Sequence, residues 1–152
     1  MKAARRHEVE HLVVDASALM PGRKARLQRW ASLLAADPER PIRSLDELEY
    51  EPATKRLDIR ADGSAIALAY ADPIFRVAGL AGDTLGDAIA FFELSHGEAH
   101  RVLCSCMNGR YSSAARIADR ISAVATHQLE KRIALCSAGV TALLLSLIMF
   151  AG

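Results

Sequence analysis

The sequence predicts a mainly α fold: a small helical cytoplasmic domain with one β-hairpin, followed by a single C-terminal transmembrane helix. Three observations lead there. The final twenty residues, IALCSAGVTALLLSLIMFAG, carry no charge, and every charged side chain lies before Ile133. Upstream, apolar residues recur at the i, i+3, i+4, i+7 spacing of one helix face. Helix-start signatures precede several of these stretches, either a Ser cap with Glu three residues on or an Asp cap followed by Pro.

A chain of 152 residues holds one modest hydrophobic core once such a tail is set aside, which excludes a large two-domain enzyme. Net charge is +1, with the signs segregated: +4 over residues 1–36, −7 over 37–100 and +4 over 101–152. The uniform basic field of a dedicated nucleic-acid binder is missing, so no nucleic-acid partner is expected. Cys104, Cys106 and Cys136 are an odd number at spacings unsuited to a disulfide framework, which fits a reducing compartment.

Residues 1–20 form an expected poorly structured leader. Its basic start lacks the apolar core of a signal peptide, because His7, Glu8, Glu10, His11 and Asp15 interrupt it. Met20, followed by Pro21 and Gly22, is an alternative start. The helical domain is placed at 21–132. Leu27, Trp30, Ala31 and Leu34 form the first amphipathic stripe, closed by Asp37 and Pro38. Arg23, Arg26 and Arg29 recur along its flank and suit either contact with an anionic membrane surface or a solvated face beside a core-facing Trp30.

Ser44 to Glu47 reads as a capping box opening a short acidic helix through Tyr50. RLDIR and AIALAYA, on either side of ADGS, read as a hairpin near 56–71 and as the only sheet. Asp72 and Pro73 start a brief helix ended by Gly79, and Asp83 or Thr84 caps a helix containing Leu85, Ala88, Ile89 and Phe92. Ser95 and Glu98 form a second box, before a helix that buries Ala99, Val102, Leu103 and Cys106 and stops at Asn108 and Gly109. Ser113 caps the last helix, whose stripe is Ala114, Ile117, Ile121 and Val124 with Arg116, Asp119, Arg120 and His127 outward.

From Ile133 the apolar run is long enough, at about 1.5 Å per residue, to cross a bilayer. Lys131 and Arg132 abut its start, Leu143, Leu144 and Leu145 sit within it, and the basic flank keeps the head cytoplasmic. The expectation is a single-pass tail anchor over 133–152 with the lipid bilayer as partner. A buried or oligomer-forming helix is the alternative, and Ala134, Ala138 and Ala142 offer a small-residue stripe for homo-oligomers. Cys136 is placed for palmitoylation.

His96, His100 and Cys104 recur at four-residue intervals. Four residues advance a helix by about 6 Å, so neighbours in this series can share a transition metal such as zinc, whereas the outer two are too far apart. At most two of the three serve one ion, and closing a site needs His127, Cys106 or a distant carboxylate. Glu98 does not directly follow the first histidine, so the zinc-peptidase pattern is not matched. The thiolate of Cys104, near Arg101 and His100, is a minor candidate for redox chemistry.

HLVVDASALM, residues 11–20, resembles the first-strand motif of PIN-domain nucleases, in which an aspartate at the end of an apolar strand helps hold a divalent metal. The resemblance covers ten residues and implies nuclease or hydrolase chemistry at Asp15. The α/β repeat that should follow is missing. Three functional expectations result. First stands a non-catalytic, membrane-tethered interaction or adaptor protein, or an accessory subunit of a membrane complex, with an unidentified protein partner and no cofactor. Second is a metal- or redox-responsive sensor using His96, His100, Cys104 and Cys106, and third a hydrolase with Asp15.

Overall fold

The computed structural model describes Met20, residues 22–46 and residues 53–126. In chain order the elements are α1 (Arg23–Ala35), β1 (Pro41–Arg43), α2 (Ala53–Leu57), α3 (Ala65–Ala71), α4 (Pro73–Val77), α5 (Leu85–Phe92), α6 (His96–Leu103), α7 (Ser105–Asn108) and β2 (Tyr111–Ser113). A last helix, α8, is described over 114–126. The described part is therefore mainly helical with one small antiparallel sheet.

The stripe on α1 is buried as its spacing predicts: Leu27, Trp30, Ala31 and Leu34 all enter the core. Trp30 is its centre. The indole stacks on Phe92 with ring centroids 4.2 Å apart and donates its N–H to the Ala65 carbonyl at 3.0 Å. Phe75 meets Phe91 and Phe92 edge-on, which joins α1, α4 and α5 through one aromatic cluster. Gly86 lets α5 approach α2 closely, since a Cβ there would lie 3.1 Å from the Leu57 carbonyl oxygen.

The start signals at Asp72, Thr84 and Ser95 act as their sequences predict. The Asp72 carboxylate accepts from the Ile74 N–H at 2.8 Å, with Pro73 in the first turn of α4. Thr84 caps α5 in a reciprocal box with Asp87, and Ser95 caps α6 in one with Glu98. Burial tends to raise the Glu98 pKa, but the Ser95 backbone N–H, the charge of Arg23 and the hydrogen bonds from the Ser95 and Arg23 side chains outweigh it and hold the carboxyl below its ordinary value. A carboxylate with a depressed folded pKa contributes stability above its unfolded pKa, and that contribution is lost as pH falls through the folded value. Glu98→Gln is therefore expected to lie below the parent in stability at neutral pH and to converge on it in acid. Urea midpoints measured between about pH 6 and about pH 3 check this, and a constant gap across the range would contradict it.

The hairpin expected near 56–71 is not there. Leu57 ends helix α2, and AIALAYA is helix α3, started by Ser64, whose hydroxyl accepts from the Ala67 N–H at 3.2 Å. Alanine is the strongest helix former, and Ala65, Ile66 and Ala69 bury one helical face instead of alternating. The turn in ADGS is real, with Gly63 at φ 72°, but it leads into a helix. The strands are elsewhere. β1 pairs antiparallel with β2 in the register Pro41↔Ser113, Ile42↔Ser112, Arg43↔Tyr111.

Ser44 does not open a helix either. It is buried, its N–H donates to the Arg110 carbonyl at 3.1 Å, and Leu45 continues extended into a parallel bridge with Cys104. Glu47 and the rest of the acidic helix expected through Tyr50 lie outside the described residues. The bridge also divides the helix expected over 96–108. Cys104 is extended between α6 and α7 and fully buried, whereas Cys106, expected on the apolar face, is exposed. Ala99, Val102 and Leu103 are buried as expected.

In α8, Ala114, Ile117, Ile121 and Val124 are buried, and the Ser113 hydroxyl accepts from the Arg116 N–H at 3.4 Å. Arg120 turns inward: its guanidinium donates to the Arg101 and Met107 carbonyls and to the Asn108 side chain. No helix among the described residues is long and apolar enough to cross a membrane. The expected tail anchor over 133–152, with Lys131, Arg132 and Leu143 to Leu145, lies outside the described residues, as do His127, Cys136 and Asp15.

Candidate functional site

The arginine flank of α1 is used inside the molecule. Arg23 pairs with Glu98 at 3.0 Å and donates through Nε to the Glu93 carbonyl at 2.9 Å. Arg26 pairs with the Glu93 carboxylate, and Arg29 with Asp72 at 2.8 Å. Arg26 also lies over the Phe91 ring, at 5.1 Å from its centroid, and Arg29 over Phe75, at 5.6 Å. Each turn of α1 thus clamps a different segment: the start of α6, the α5–α6 joint and the cap of α4. Glu93 has a left-handed backbone at φ 51°, which ends α5 and turns its carbonyl to Arg23. A row already committed to carboxylates and rings is a brace between helices, not the free basic face that a membrane surface would need.

The His/Cys series is separated by the break in the helix. His96 is exposed in the first turn of α6, His100 is half-buried one turn on, and Cys104 lies beyond the helix end in the core. The four-residue repeat therefore ends at His100, since the extended backbone of Cys104 no longer follows the helical rotation. Among the described residues no group of three or more His, Cys, Asp and Glu side chains is arranged to hold a metal ion.

A cleft of about 330 Å³ opens where α1, α3 and α8 meet. Leu33 and Leu34 from the last turn of α1, Leu68 and Ala71 from α3, and Ala114 from the start of α8 form its walls. Asp37, Arg40 and Asp72 stand at its rim. The backbone fixes this arrangement: the Ala114 N–H donates to the Arg40 carbonyl at 2.9 Å and the Ala115 N–H to the Pro38 carbonyl at 3.0 Å, tying α8 to the loop after α1. Asp72 is held twice, by the Ile74 N–H and by Arg29, whereas Asp37 and Arg40 are exposed.

The volume is at the small end of the range for ligand sites and takes one or two side chains of leucine size. With apolar walls and side chains of both signs at the mouth, the cleft suits an apolar side chain carried on a polar backbone. Reading along the sequence does not find it, because its walls come from three separate segments. Its trace in the sequence is Leu33, a large apolar residue just off the α1 stripe, which the structure leaves partly buried. No family model, curated protein or solved structure matches the chain.

Proposed function

We propose that the chain is a membrane-tethered interaction protein without catalytic activity, whose helical head receives an apolar side chain of a protein partner in the α1–α3–α8 cleft. The carrying observation is that cleft: leucine and alanine walls, open to solvent, beneath an exposed Asp37 and Arg40. Such a socket seats an apolar anchor while the rim orients polar groups around it, the usual division between the centre and edge of a protein interface. The tether rests on the uncharged run from Ile133 and the adjacent Lys131 and Arg132. Holding the head at a bilayer raises its effective concentration toward partners on the same surface, so a small socket suffices.

Two measurements test the reading. Replacing Leu143 and Leu145 together with arginine is expected to move the full chain from the membrane to the soluble fraction, since each charge costs about 2.5–3.5 kcal/mol near the centre of a spanning helix. Retention through a carbonate wash would remove the tether. For the cleft, a photoreactive residue is placed at Ala71, on its wall, or at Ala90, an exposed position on α5. A discrete protein adduct from Ala71 alone, weakened by the charge reversal Arg40→Glu, is the expected result. Equal adducts from both positions, or none, would overturn docking in the cleft.

A further inference from the structure

The break between α6 and α7 has an unusual cause. Residues 96–108 contain no proline, begin at a capping box and stop at Asn108 and Gly109, all consistent with one continuous helix. Leu45 is inserted instead. Its N–H donates to the Leu103 carbonyl at 2.8 Å, and its own carbonyl accepts from the Ser105 N–H at 2.9 Å. In an uninterrupted helix Ser105 would donate to Arg101, and Leu103 would accept from Met107. The Arg101 carbonyl released by the break is taken up by Arg120 at 2.8 Å and by the Asn108 amide at 3.2 Å, and the Met107 N–H turns to the Cys104 carbonyl at 3.2 Å.

We infer that residues 96–108 are a two-state element, held split by the plug Leu45 and by the Arg120 staple, and able to close into one helix when Leu45 withdraws. Within residues 96–108 the exchange is nearly balanced, since the Ser105 N–H and the Leu103 carbonyl used by Leu45 each have a helical partner four residues away, while the N–H and carbonyl of Leu45 itself pass to solvent. What holds the split state is burial: Leu45 and Cys104 are both fully enclosed. Leu45 follows β1 by two residues, so the plug is joined closely to the sheet. This device is independent of the docking proposal above.

Cys104 and Cys106 report on it. In the full chain in detergent, alkylation is followed residue by residue with peptide mapping; closure should expose the buried Cys104 and carry the exposed Cys106 onto the face of Ala99, Val102 and Leu103, so the ratio of the two rates reads both movements. Leu45→Ala is expected to raise the Cys104 rate relative to Cys106 by about tenfold or more, because truncating a buried leucine weakens the plug, without loss of far-UV helical signal. Arg120→Ala should act in the same direction, by removing the staple alone. Leu27→Ala, a truncation elsewhere in the core, should leave the native-state ratio unchanged. The inference fails if Cys104 reacts only in step with global unfolding. It fails equally if Leu45→Ala gains reactivity while losing helix, which would be melting instead of closure. Should Leu45→Ala not fold, the same two readouts on Arg120→Ala decide.

Discussion

Trp30→Ala is expected to destabilise the head by about 3–5 kcal/mol, a large part of the roughly 5–15 kcal/mol that holds a domain of this size. Three losses coincide at this position. The indole is fully buried, its stacking on Phe92 disappears, and the Ala65 carbonyl at the start of α3 loses the indole N–H as its second donor. The cavity would sit between α1, α3 and α5. Urea denaturation followed by far-UV circular dichroism measures the effect, since the chain has a single tryptophan and the variant loses its fluorescence. Trp30→Phe separates the contributions: it keeps a ring against Phe92 but removes the indole donor from the Ala65 carbonyl, which keeps its helical bond within α3, for an expected loss of about 0.5–1.5 kcal/mol beyond the volume change. A Trp30→Ala loss under about 1 kcal/mol would mean that the aromatic cluster is not the centre of the core.

Leu103→Asp should be at least as severe, with a loss above about 4 kcal/mol and no stable head under native conditions. Leu103 is almost wholly buried at the end of α6, beside the position where Leu45 enters. A carboxylate there either remains ionised without a partner or takes up a proton, and both alternatives favour the unfolded chain near neutral pH. Trp30 fluorescence in a urea titration is the readout. A parental midpoint would show that residue 103 does not face the core. The comparison with Cys106→Asp is informative because Cys106 is exposed, and there the same charge should cost little.

Several helix positions and their start signals were legible because their cause was local, although the same kind of signal at Ser44 opened no helix. Asp72 with Pro73, Thr84, and Ser95 with Glu98 all cap helices through contacts two or three residues away, so their spacing in the sequence is their geometry in space. The buried stripes of α1 and α8 follow for the same reason, a 3.6-residue period projected onto one face. AIALAYA is ambiguous in the sequence because its apolar residues suit a strand or a helix, and its alanines and the Ser64 cap decide in favour of the helix.

For the candidate site, spacing alone placed His96, His100 and Cys104 on one face, and the insertion of Leu45 removed Cys104 from it. The arginines of α1 were legible as a row, but their partners Glu98, Glu93 and Asp72 lie 43 to 75 residues away and leave no trace in local pattern. The cleft is likewise made by segments that meet only on folding. The sequence by itself determined the helical class, the caps at Asp72, Thr84 and Ser95 and the apolar faces of α1 and α8, because a helix satisfies its own backbone within one turn. The tertiary structure alone decided the strands, the broken helix, the ion pairs and the cleft, because each needs a partner whose position is set only when distant parts of the chain pack together.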